Sequence, residues 1–131
     1  MAKRIFDLHQ HQYDNYPKSD ALTAKIDGKW VPISTEEFLE QGENFASGLI
    51  EMGLEVGDKV ALISNNRPEW HIADLGIMSA GMINVPIYPT ITEEDYQYIM
   101  NDAAVKLCLV SDQELYEKVF AIKTKIPSLS A

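Results

Sequence analysis

Residues 60–89 constrain the fold of this 131-residue chain more than any other stretch. Residues 60–63 are a short apolar run without polar alternation, the pattern of a strand covered on both faces. Asn65, Asn66 and Arg67 supply loop chemistry, and Pro68 suits the first turn of a helix. Over residues 69–80 apolar side chains nearly encircle the helical wheel, which predicts a helix buried on most sides. Gly81 stops it, and residues 83–87 read as a second strand. Strand, helix, strand is a βαβ unit with parallel strands and a right-handed crossover.

The flanks extend that pattern. Residues 3–16 predict a helix carrying Ile5, Phe6, Leu8, Tyr13 and Tyr16, closed by Pro17. Asp27-Gly28 between two β-prone runs (21–26 and 29–33) signals a hairpin, and Pro32 marks its strand as an edge. Ser34 and Glu37 form a capping box for a helix whose apolar face holds Phe38, Leu39, Phe45, Ala46, Leu49 and Ile50. Gly53 is its left-handed cap, with Leu54 placed for the accompanying contact. Thr92 caps a further helix with Glu93, Glu94 and Asp95 in its first turn and a stripe of Tyr96, Ile99, Met100 and Ala103. Residues 107–110 predict a third buried strand. Ser111 and Glu114 read as a second capping box, ahead of a helix lined by Leu115, Val119, Ile122 and Ile126 and closed by Pro127. The fold class is α/β: an incomplete doubly wound parallel sheet of about three strands with flanking helices, plus an N-terminal β-hairpin. Residues 1–33 hold the first helix and hairpin, residues 34–131 hold the βα repeats, and no complete domain boundary falls inside the chain.

Composition narrows the function by exclusion. A net charge of −9 argues against a nucleic-acid partner, which needs clustered Lys and Arg. No apolar run approaches the roughly 20 residues of a membrane span. Residues 1–4 are followed by too few apolar side chains for a signal peptide. The single cysteine, Cys108, permits no intrachain disulfide, and a reducing cytoplasm is the expected compartment.

A doubly wound sheet binds ligands at the carboxyl ends of its strands, which points to Ser64-Asn65-Asn66, Tyr88-Pro89-Thr90 and Ser111-Asp112. None is glycine-rich, so neither a dinucleotide site nor a P-loop is supported. His9 and His11 fall on different helix faces and read as surface histidines, not metal ligands. His71 reads as a satisfied structural histidine, Cys108 as an inert core thiol, and Glu93-Glu94-Asp95 as a helix start. Asp74 interrupts an apolar helix and needs a partner such as a backbone N–H or Arg67; Trp70 reads as core. No nucleophile–base pair or carboxylate dyad emerges, so no catalytic, cofactor-binding or metal residue is assigned.

The wording of the central stretch goes further. Asn66-Arg67-Pro68-Glu69-Trp70, Ala73-Asp74-Leu75-Gly76, Ala80-Gly81 and Asn84-Val85-Pro86-Ile87-Tyr88-Pro89-Thr90 together resemble the adenylate-forming superfamily. Within it they are most similar to bacterial long-chain fatty acid–CoA ligases. Residues 30–38 resemble a weaker upstream motif of the same superfamily. The resemblance implies a two-step reaction. A fatty acid carboxylate attacks the α-phosphate of ATP with magnesium assisting, and coenzyme A then displaces AMP. It also implies a phosphate loop, ribose- and magnesium-binding acids and a mobile lysine, none of which has a matching position here. The chain is therefore expected to be an N-terminal piece of such an enzyme, inactive alone, scaffolding its larger N-terminal domain. Apolar surface is expected where further strands would pair, with homodimer formation or self-association as a consequence. Rival readings are a free-standing flavodoxin-like or receiver-type module and a truncated interaction protein.

Overall fold

Asp27 and Gly28 adopt left-handed backbone, φ 48° and 79°, and so build the two-residue turn whose twist matches a hairpin. The computed structural model describes residues 3–131, so Met1 and Ala2 of the N-terminal basic run lie outside the described residues. The chain divides into two compact units. One, here the helical unit, comprises the described residues up to Met52 together with Arg67–Ala80. The other, the sheet unit, comprises Gly53–Asn66 and Gly81–Ala131.

The helical unit holds α1 (Asp7–Asn15), β1 (Leu22–Ile26), β2 (Lys29–Ile33), α2 (Thr35–Glu51) and α3 (Pro68–Ser79). α1 starts later than the apolar pattern suggests, at Asp7. Its carboxylate accepts the N–H groups of Lys3 and Arg4, each at 3.0 Å, and holds residues 3–6 as a turn ahead of the helix. β1 and β2 pair antiparallel, with Leu22 opposite Ile33. The capping box forms as read: Glu37 N–H donates to Ser34 Oγ at 3.1 Å, and Ser34 N–H to Glu37 Oε2 at 2.7 Å. Ile50 is a correction, since it is exposed. The buried stripe of α2 runs instead through Phe38, Gly42, Ala46 and Leu49.

Gly42 and Gly76 set how closely α2 and α3 approach. A Cβ on Gly42 would meet Leu75 Cδ2 at 2.6 Å; one on Gly76 would meet Phe45 Cδ1 at 2.7 Å and the Gly42 carbonyl oxygen at 2.9 Å. Each glycine therefore admits the opposite helix. Phe38, Ile72 and Leu75 form the adjoining core, with Phe6, Leu22 and Ile33 packed against it.

The sheet unit holds β3 (Lys59–Ile63), β4 (Ile83–Ile87), α4 (Glu93–Asp102), β5 (Leu107–Val110) and α5 (Gln113–Ile122). The strands run in the order β4-β3-β5, and both pairs are parallel. β3, the central strand, is buried from Val60 to Ile63. Thr92 and Asp95 form a reciprocal capping box on α4. Tyr96, Met100 and Val105 are fully buried in one cluster with Leu115 and Val119 of α5. Burying a side chain of Met100's size contributes about 1.5–3 kcal/mol.

Two readings at α5 are corrected. Its cap is Asp112, which accepts Leu115 N–H at 3.0 Å; Ser111 and Glu114 form no capping box. Ile126 is buried but lies beyond the helix, after a 3₁₀ turn at Lys123–Lys125. Past it, Cys108 N–H donates to the Ala131 carbonyl at 3.0 Å, and Ser130 N–H to the Lys106 carbonyl at 2.9 Å. The last residues thus lie along the outer edge of β5.

Candidate functional site

The strand order fixes where a parallel sheet of this kind offers a crevice. From β3 the chain goes to β4 on one side, then crosses through α4 to β5 on the other. The direction reverses between β3 and β5, and ligands of open α/β sheets bind outside the carboxyl ends of the strands at that point. The residues there are Ser64 and Asn65 after β3, and Ser111 and Asp112 after β5.

These residues bond to one another. Asn65 donates its backbone N–H to Ser111 Oγ at 3.2 Å and its Nδ2 to Asp112 Oδ2 at 3.1 Å. Ser111 Oγ donates to the same Oδ2 at 2.9 Å, while Asp112 Oδ1 takes the Leu115 N–H. Ser111 N–H reaches back to the Ile63 carbonyl at 3.2 Å. Both Asp112 oxygens are committed. The Leu115 N–H first, then the Ser111 hydroxyl and the Asn65 amide, hold this carboxyl below the usual carboxylate range. A phosphate would have to displace these bonds, and no glycine here lets backbone N–H groups approach an anion. These residues therefore offer no glycine-lined backbone cradle for a phosphate.

At the end of β4, Tyr88 is exposed, and the buried Tyr96 donates its hydroxyl to the Pro89 carbonyl at 2.8 Å. Burial pushes the Tyr96 phenol above its ordinary range. Tyr96 pins this loop, a role that its place in an apolar stripe did not reveal.

The remaining candidates are dispersed. His9 is half-buried with its ring edge-on to Phe38, centroids 5.1 Å apart, which corrects its reading as a surface histidine. Desolvation lowers its pKa; Asp74 pulls the other way and His71 adds to the lowering. His11 is exposed beside Tyr16. His71, read as a satisfied structural histidine, is exposed, because Ile72 and Ala73 carry the covered side of α3. Trp70 is half-buried and edge-on to His71. Arg67 pairs with Glu69 at 2.9 Å. Burial pushes the Cys108 thiol up to about 12, so it is protonated and unreactive at neutral pH. Among the described residues, no group of three or more His, Cys, Asp or Glu is placed to hold a metal, and no helix is long and apolar enough to cross a membrane.

The Asn65–Asp112 bond went unread because it spans 47 positions. Each residue was flagged after its own strand, but only the β3–β5 register, with Ile63 opposite Val110, brings the two together.

Comparison with known proteins supplies context for this geometry. The family model described as AMP-binding enzyme matches residues 9–130. The mouse long-chain-fatty-acid–CoA ligase ACSBG1 is 33% identical over 133 residues, covering 99% of this chain and 18% of the mouse protein. Long-chain-fatty-acid–CoA ligase FadD15 of Mycobacterium bovis is 31% identical over 122 residues, covering 93% of this chain and 20% of that ligase. Among solved structures, the N-terminal domain of FACL13 from Mycobacterium tuberculosis superposes with a TM-score of 0.82 at 18% identity, over 98% of this chain and 33% of that one. The anthranilate CoA ligase AuaEII gives 0.79 at 22%, over 95% of this chain and 23% of that one. The chain thus spans about a fifth of the length of these curated relatives.

Proposed function

This chain belongs to the AMP-binding enzyme family, and from that membership we propose that it is the framework part of the larger N-terminal domain of an ATP-dependent long-chain fatty acid–CoA ligase. The whole enzyme would join a fatty acid to coenzyme A by way of an acyl-adenylate, in the cytoplasm and with magnesium as helper. In this reading residues 1–131 contribute no catalytic, nucleotide-binding or metal-binding side chain.

The observation that carries the framework role is the switch point between β3 and β5. At the place where a sheet of this topology would receive a ligand, Asn65, Ser111 and Asp112 spend their polar groups on one another. Substrates and nucleotide then depend on parts of the enzyme outside these residues. The edge of β5, along which Ser130 and Ala131 already run, supports a sheet that continues beyond three strands.

A chimera tests the reading. Residues 1–131 replace the matching fifth of FadD15, and acyl-CoA formation is measured with fatty acids of graded length. Activity within about tenfold of the parent is expected, because a framework contributes through fold and not through reacting groups. A chimera that folds and binds ATP but forms no acyl-adenylate would overturn it. The isolated chain is expected to give no fatty-acid-dependent exchange of pyrophosphate into ATP.

A further inference from the structure

α1 is the most weakly held helix of its unit. It packs against α2, yet none of its residues is fully buried. Its covered face runs through Phe6, just ahead of the helix, then His9 and Tyr13, each half-buried and spaced three and four positions apart. Phe6 packs against the cluster of Phe38, Ile72 and Leu75. A helix of nine residues is too short to persist alone, so α1 stays helical only while it is docked.

His9 stands in the middle of that face. α2 presents the Phe38 ring to it edge-on, with centroids 5.1 Å apart and planes 85° apart. α3 presents two titratable groups: Asp74 favours a proton on the imidazole and His71 opposes one. On α1 itself, Asp7 is taken up by Arg4 and Asp14 by Gln10. Loss of water around the His9 ring outweighs the pull of Asp74, because burial disfavours the charged form. We infer that His9 is a pH-sensitive latch: α1 is held on α2 and α3 while the imidazole is neutral, and acid releases α1 while α2 and α3 stay packed on each other. α2 and α3 meet through Gly42, Gly76, Phe45 and Leu75, a contact that contains no titrating group. The latch rests on the covered face of α1 and is independent of the ligase reading.

Amide protection in the ¹⁵N-labelled chain between pH 7 and 5, corrected for the intrinsic pH dependence of exchange, tests it. Each variant is compared with its own value at pH 7, so that a general loss of stability cancels. The amides of Tyr13, Asp14 and Asn15 are expected to lose protection several-fold as pH falls, while those of Leu49 and Leu75 keep theirs. His9→Phe keeps an aromatic ring against Phe38 and removes the titrating group, and its α1 is expected to be equally protected at both ends of the range. Asp74→Asn removes a group that favours the imidazolium and deepens the loss at pH 5; His71→Gln makes it shallower. His11→Gln, on the exposed side of the same helix, leaves the response unchanged. Protection of α1 that does not change with pH, or a response that survives His9→Phe, would overturn the proposal. So would a response made shallower by Asp74→Asn, which would mean that an imidazolium–carboxylate pair holds the helix.

Discussion

In the helical unit the tightest contact is made where side chains are missing: Gly42 and Gly76 let α2 and α3 approach until each Cβ position is taken by the opposite helix. In the sheet unit the corresponding place, the end of β3 against β5, is filled by polar side chains that spend their hydrogen bonds on each other. One closes by shape and the other by hydrogen bonding. Shape closure fails under added volume and hardly responds to pH. Hydrogen-bonded closure tolerates volume and fails when its acceptor is protonated.

The largest expected effect breaks the shape side. Gly76→Ala places a methyl against the Gly42 carbonyl, backbone that cannot rotate away, and against Phe45. Overpacking is expected to cost about 1–3 kcal/mol even after the gain in helix propensity, read as a lowered urea midpoint. Gly42→Ala is expected to cost less, because it meets only the movable Leu75 side chain. Equal costs would mean that the backbone contact is not what limits the approach.

Next comes the polar side. Asp112→Ala removes both the cap of α5 and the acceptor of Asn65 and Ser111. Faster amide exchange is expected at Leu115 and Asn65, with little change at Phe38 or Leu75. Asp112→Asn keeps a capping oxygen and is expected to lose less.

Acid sharpens the contrast. The carboxyls of Asp112 and Asp95 lie below their ordinary range in the fold, each through hydrogen bonds to its charged form. Their contribution is present above the unfolded carboxylate range near about 4 and is lost as pH falls through the lowered folded values. In the helical unit, Glu37 and Asp7 follow the same sign, with Asp7 at about 2 through its bonds to Arg4 and Lys3. Burial lowers the His9 pKa, so protonation begins to oppose its burial once pH drops below the ordinary histidine range. Amide protection factors, corrected for the intrinsic pH dependence of exchange, are therefore expected to fall between pH 7 and 5 around His9 and Phe38 first, and around Asp112 only at lower pH.

The smallest effect is a gain. Ala104 takes left-handed backbone at φ 52° where α4 ends, with Val105 N–H bonded to the Met100 carbonyl at 2.9 Å. Ala104→Gly relieves that conformation and is expected to add about 0.5 kcal/mol, net of the extra freedom it gives the unfolded chain.

How much of this was legible follows from range. The Asp27-Gly28 turn, the Ser34–Glu37 box, Pro68 at the start of α3, the left-handed Gly53 and the helix stop at Gly81 were all readable, because each is decided within a few residues. The three strands were readable from apolar runs. Gly42 was not, because a glycine amid polar residues gives no sign that Leu75 will lie against it. Ser111 and Asp112 compete for one cap, and Asp112 holds it while Ser111 turns to Asn65, a residue on another strand end. The strand-end residues were readable one by one, but the Asn65–Asp112 bond was not, because it joins groups that only the parallel register brings together.

The most direct measurement is a titration of the ¹⁵N-labelled chain with magnesium and ATP, following the amide signals of residues 64–66 and 111–112. A sealed framework gives no saturable shift at those positions, and the signal of Leu115, whose N–H is held by Asp112, stays where it was. Saturable shifts concentrated at Asn65 and Asp112, with loss of the Leu115 bond, would show that the crevice opens to hold nucleotide and would contradict the framework role.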